Sequence, residues 1–234
     1  YRVIWYDEDA GGTAETQSRS GLTREDRREG SVAARGLLIS PPAAVRLPSI
    51  VGGDTSSIAD HPHTVAILSA GATDGFSSQY CGGTLVTPRW VVTAAHCVAD
   101  SAAAEVEVAA GISSLDAIGP GDRYAVESIH AHPDFDSDLV LNDIALLYLA
   151  AAVDAAASGP IPWQDAGSAP VSGTPVSISG WGSSDMAGED FGVDLRSAAV
   201  SVLAGPGEDV CGNWPDFQSD VELCVGGEAG VGAC

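Results

Sequence analysis

The chain reads as an all-β protein, and three observations carry that reading. Its 28 glycines and 13 prolines cut 234 residues into short runs, many of them rich in Val, Ile, Leu and Thr, which is the composition of strands bounded by turns. Helix start and stop signals are sparse. The alanine-rich stretch 150–163, AAAVDAAASGPIPW, lacks the apolar stripe of a packed helix. No fixed repeat period is present, the 45% hydrophobic content is ordinary for a globular protein, and the length suffices for one large domain or two small ones.

Taken in order, segment 1–49 carries YDEDAGGTAETQSRSGLTREDRREG, polar, Gly-rich and charge-mixed, followed by the apolar-proline run GLLISPPAAVRLP. A segment without periodicity is expected to be largely disordered or loosely docked. At Ile50 the composition changes: the tetrad Ile50-Val51-Gly52-Gly53 soon leads into a strand over Thr64 to Leu68. Between Cys81 and Cys97, TLVTPRWVV reads as two β-rich pieces around the turn Thr87-Pro88-Arg89. The run Ile144 to Leu149 is long enough for a fully buried strand. Further on, GTPVSISGWG supplies a strand and a glycine turn, and DLRSAAVSVLAG supplies another strand.

The charge is unevenly placed. All ten basic residues are Arg, and seven of them lie before position 50 beside seven acidic residues, so segment 1–49 is near neutral. The rest holds three Arg against twenty-five Asp and Glu, which accounts for the formal charge of −22. Such a surface repels nucleic acid and anionic membranes, favours solubility in a salty or extracellular setting, and leaves basic partners as the charged ones to expect. No apolar run approaches the length that a membrane span demands.

His96 is the candidate general base. To take a proton it needs a fixed orientation and a neutral imidazole near neutral pH. A Cys81–Cys97 bridge would close a loop of about sixteen residues, worth roughly 3 kcal/mol in the chain-entropy model, and would hold the histidine's turn against the hairpin. Asp143 is the matching carboxylate at the entrance of the 144–149 strand, where a buried acid must accept hydrogen bonds or meet a charge, and an imidazole N–H is a suitable donor. Asp134, Asp136 and Asp138 alternate like the start of a calcium loop. That reading fails, because Leu139 stands in the place of the required Gly and Ala145 in that of the bidentate Glu; a solvated loop is expected instead. His61, His63, His130 and His132 flank prolines and are expected to be structural or solvent-facing. Zinc at His96 is not expected, since no second His or Cys sits around it at ligand spacing.

The tetrad Ile50-Val51-Gly52-Gly53, TAAHC at 93–97, NDIALL at 142–147 and GWG at 180–182 together resemble, in order and spacing, the chymotrypsin-like serine proteases, over Ile50 to Cys234. The resemblance implies two antiparallel six-stranded β-barrels with the site in the cleft between them: leader 1–49, first barrel 50–160 with His96 and Asp143, second barrel 161–234, incomplete. It implies His96 as acid–base and Asp143 as its orienter, a Cys211–Cys224 disulfide that leaves Cys234 unpaired, and no cofactor. The bond before Ile50 would be cut to free an activating N-terminus, although Ser49 stands where relatives carry Arg or Lys, with Arg46 as an alternative site followed by trimming. The floor of the specificity pocket matches Gly232, which cannot pair with Arg or Lys, so an uncharged residue before the scissile bond is expected.

CVGGEAGVGAC, 224–234, resembles the stretch that leads into Gly-Asp-Ser-Gly-Gly, and no serine of the chain stands in a Gly-x-Ser-x-Gly or Gly-Asp-Ser-Gly context. The nucleophile is therefore expected beyond Cys234, this chain is expected to be inactive, and its second barrel to expose unpaired edges that favour aggregation. The function so implied is a secreted serine endopeptidase, monomeric, with protein or peptide substrates and proteinaceous inhibitors as partners and neither nucleic acid nor membrane. The alternative is a non-catalytic homologue acting as a binding or regulatory module.

Overall fold

The computed structural model describes residues 3–5, 50, 53–154, 158–161, 170–183, 191–204 and 222–226. Strands among them are β1 (Val3–Trp5), β2 (Asp54–Thr55), β3 (Thr64–Ser69), β4 (Gln79–Thr87), β5 (Trp90–Thr93), β6 (Val106–Ala109), β7 (Arg123–Ala131), β8 (Ala145–Leu149), β9 (Pro175–Gly180), β10 (Arg196–Ala204) and β11 (Leu223–Gly226). The one α-helix described, α1 (Gly75–Ser78), is a single turn capped by the Asp74 carboxylate. The all-β expectation holds.

Strands β3, β4, β5, β8, β7 and β6 close in that order into a barrel, each neighbouring pair antiparallel. Its interior is filled by Val65, Ile67, Leu85, Val91, Val108 and Leu147, none with accessible surface. Each such side chain contributes roughly 1.5–3 kcal/mol by leaving water. The β4–β5 hairpin turns at Pro88-Arg89 as expected, where the Thr87 hydroxyl accepts the N–H groups of Arg89 and Trp90 and so satisfies two donors that the turn takes out of the ladder.

Strand β8 departs from the expected full burial. Ala145, Leu147 and Leu149 face the core, while Leu146 and Tyr148 are half-buried on the outside. A barrel wall has only one interior, so its strands alternate. The alternation is hidden in the sequence because the outward residues are apolar too. Tyr148 is covered from the side: the Trp90 ring lies 4.6 Å from its own, and the Arg89 guanidinium sits 4.1 Å over it while also bonding Glu127.

Strand β3 is the exception, buried along both faces. Val65 and Ile67 enter the barrel, whereas Ala66 and Leu68 join a second cluster with Ala109, Leu115, Trp181 and Leu195. Beyond it lies a second sheet centred on β10, with β9 antiparallel along one edge and β2 and β11 along the other. Val200, Val202 and Val225 form its core. Before Ile50, β1 pairs in parallel with β11, Val3 opposite Leu223 and Trp5 opposite Val225, a strand that the reading of segment 1–49 did not single out.

Candidate active site

The sequence that follows β5 cannot continue the strand, because Ala95–Cys97 wind into one 3-10 turn. Ala95 is fully buried within the barrel's core cluster, and the turn closes through the N–H groups of Val98 and Ala99 on the Ala95 carbonyl. A disulfide joins Cys97 to Cys81 on β4, as expected, across a Cα separation of 6.3 Å. His96 is thus held on a turn pinned at one side by packing and at the other by a covalent bond.

Asp143 lies just before β8, which pairs with β5 so that Ala145 faces Thr93. That register carries the carboxylate to the turn. Asp143 Oδ2 lies 2.7 Å from His96 Nδ1, and Oδ1 accepts the backbone N–H of His96 at 2.8 Å. The second bond had no sequence signal, since any residue at that position offers an N–H. The acid is nearly covered, at 12% side-chain exposure, while the imidazole is 48% exposed. An ionised carboxylate only accepts, so the Nδ1 atom carries the proton and the lone pair of the neutral ring stands at Nε2.

The electrostatics follow from these contacts. The hydrogen bond to Asp143 raises the His96 pKa; partial burial opposes it, and the charge of Asp143 adds to the rise. For Asp143, burial is the largest single influence and acts upward, but the bonds from the His96 ring and from the backbone N–H groups of His96 and Ala95, with the charge of His96, outweigh it and hold the carboxyl below its ordinary value. The pair therefore favours an ionised acid beside an imidazole that gains its proton readily.

The other singled-out residues stand apart from this pair. Asp136 turns its carboxylate onto the N–H groups of Asp138 and Leu139, and its backbone exchanges two hydrogen bonds with Leu141. Asp134 and Asp138 are exposed, as expected of a solvated loop. The His61 and His63 rings meet edge to face at 6.4 Å, and burial followed by the charge of His61 lowers the His63 pKa. His130 packs on Trp90 and reaches Ser128, and His132 accepts the Asp134 N–H. Ligating atoms of Cys81, His96 and Cys97 come within 4.8 Å of one another; with the two sulfurs bonded to each other, only the imidazole is left to offer a metal.

Ile50 is buried at 3% exposure, with its N–H on the Ser183 carbonyl just after the GWG turn and its side chain against Gly53. Cys224 is fully buried and disulfide-bonded. Cys211, Cys234 and Gly232 lie outside the described residues, so the expected Cys211–Cys224 pairing and the pocket floor do too. No helix among the described residues is long and apolar enough to cross a membrane.

The trypsin family profile matches residues 50–234. The chain is a member of the trypsin family. Its curated relatives include a trypsin of Saccharopolyspora erythraea, 34% identical over 79% of this chain and 77% of that one, and trypsin 5G1 of Aedes aegypti, 36% identical over 66% and 55%. Among solved structures it resembles that of GrC, with a TM-score of 0.63 at 27% identity over 76% of both chains, and that of the Vibrio cholerae VesB protease, with 0.56 at 30% over 66% of this chain and 45% of that one. The span matched in trypsin 5G1 is thus little more than half of that relative's length. The trypsin family is one of serine proteases, and the closed six-stranded barrel of this chain is its all-β fold.

Proposed function

We propose that these residues belong to a secreted serine endopeptidase in which His96 is the general base and acid and Asp143 its orienter. The observation that carries the reading is the double hold of Asp143 on the ring and backbone of His96. With Nδ1–H fixed on the carboxylate, Nε2 takes the proton of an attacking hydroxyl and returns it to the leaving amine, while the buried acid stabilises the imidazolium formed between the two steps. The serine that attacks the carbonyl carbon, forming an acyl-enzyme that water then hydrolyses, comes from residues outside these 234, because none of the serines here stands in a nucleophile motif. These residues alone are proposed to be inactive. The bond before Ile50 is the activation site, and Gly232 at the pocket floor directs the enzyme to an uncharged residue before the scissile bond. Substrates are proteins or peptides.

The test reads the coding sequence past Cys234 and expresses the longer chain. A Gly-Asp-Ser-Gly-Gly motif, labelling of its serine by a fluorophosphonate, and loss of that labelling in His96→Ala are the expected results. A replaced serine in an otherwise continuous chain overturns the enzymatic reading and favours the binding module. Peptide libraries cleaved after Lys or Arg would overturn the assignment to Gly232.

A further inference from the structure

The β4–β5 ladder stops short of the site. Its registered pairs are Thr87 with Trp90, Leu85 with Val91 and Thr84 with Val92, and the next tie described between the two arms in the direction of His96 that is covalent is the Cys81–Cys97 disulfide. Between them stands one side-chain bond: the Thr93 hydroxyl donates to the carbonyl oxygen of Gly82 at 2.8 Å. Thr93 is buried at 7% exposure. It is the last residue of β5 and faces Ala145 on β8, two positions after Asp143. One residue therefore touches the strand that carries Cys81, ends the strand that launches the His96 turn, and is in register with the strand that launches the carboxylate.

We propose that Thr93 is a positioning residue, whose hydroxyl holds the end of β5 on β4 so that the His96 turn meets both oxygens of Asp143. The inference rests on the base-and-orienter reading of His96 and Asp143. The physical reason is geometric. A strand end laddered on one side only, as β5 is to β8 at Thr93 and Ala145, shifts more readily than one held on both, and the Asp143 contacts at 2.7 and 2.8 Å weaken steeply once distance or angle opens. The disulfide limits how far the turn can move, but its rotatable bonds do not fix the ring. A hydroxyl bonded to a main-chain oxygen does fix the β5 end, and the closeness of the arms supports it, since a Cβ on Gly83 would stand 3.0 Å from the Val92 carbonyl oxygen.

The experiment compares the unaltered chain with Thr93→Val, which keeps the shape and removes the hydroxyl, and Thr93→Ser, which keeps the hydroxyl and removes the methyl. Histidine-selective NMR follows the His96 titration and its Nδ1 proton, and thermal melts run in parallel. In the unaltered chain His96 titrates above the free imidazole value and Asp143→Asn abolishes the rise; without that result the base-and-orienter reading fails and the role of Thr93 falls with it. Given that result, Thr93→Val is expected to bring the titration back toward the free value and to broaden the Nδ1 proton, with Thr93→Ser restoring both. A Thr93→Val chain that titrates like the unaltered one overturns the positioning role alone. So does a Thr93→Val chain that loses its fold, or one that melts lower with the His96 signals unchanged, because the bond would then serve stability only.

Discussion

Replacing Cys81 and Cys97 together by alanine tests how the turn bearing His96 is held. The disulfide closes a sequence separation of 16 residues. In the chain-entropy treatment a loop of that size removes roughly 10 cal/mol/K from the unfolded ensemble, or about 3 kcal/mol at 25 °C. Both cysteines also pack against the barrel core, so the loss in the double variant should be no smaller than this. For a chain of this size the corresponding drop in Tm is roughly 6–12 °C. Reversible urea unfolding followed by far-UV circular dichroism gives the free energy directly. The midpoint should fall and the slope m should rise slightly, because the unlinked unfolded chain exposes more surface. A loss below about 1 kcal/mol would refute the entropic account of the bond and would mean that the turn is fixed by its packing and hydrogen bonds without the disulfide.

Other outcomes follow from the same contacts. The raised His96 pKa contributes stability that is complete below the free value of about 6.5 and is lost as pH rises through the folded value, whereas the depressed Asp143 pKa contributes stability present above about 3.9 and lost as pH falls through its folded value. The pair thus stabilises most between about pH 4 and 6.5, and Asp143→Asn should flatten both limbs of the Tm-against-pH profile. Gly53→Ala places a methyl 2.5 Å from Ile50 Cγ2 and 2.6 Å from the Ser197 carbonyl oxygen, an overpacking expected to cost about 1–3 kcal/mol in denaturant unfolding. Leu147→Ala, at a position with no exposure in the barrel, should cost about 2–5 kcal/mol by the same measurement. Given the formal charge of −22, the Tm of the unaltered chain should rise as NaCl is increased from low to molar concentration, since screening relieves self-repulsion.

Most of the barrel was legible because its signals are local. Thr87-Pro88-Arg89 announces a turn whatever surrounds it, and the apolar runs at 64–68 and 144–149 became β3 and β8. The candidate site was legible in its side chains, His96 and Asp143, and in the cysteines that pin one of them. What stayed hidden depends on contacts between distant residues. The fully buried β3 and the half-buried β8 look alike as apolar runs, and only the partners in space, Trp181 and Leu195 for one and Trp90 for the other, decide which faces are covered. Thr93 belongs to the TAAHC run, yet nothing in that spelling shows that its hydroxyl reaches Gly82. The bond from the His96 backbone to Asp143 is invisible for the same reason.

Strand β3 has one further consequence. Its odd positions, Val65 and Ile67, and its even positions, Ala66 and Leu68, answer to different cores. A slip of one residue would exchange the two sets and damage both at once. The strand is therefore specified twice over, and it has no silent face on which substitutions accumulate freely. It also acts as a party wall: barrel and neighbouring cluster lean on the same backbone, so neither can be loosened without the other registering it, and their unfolding is joined at this strand.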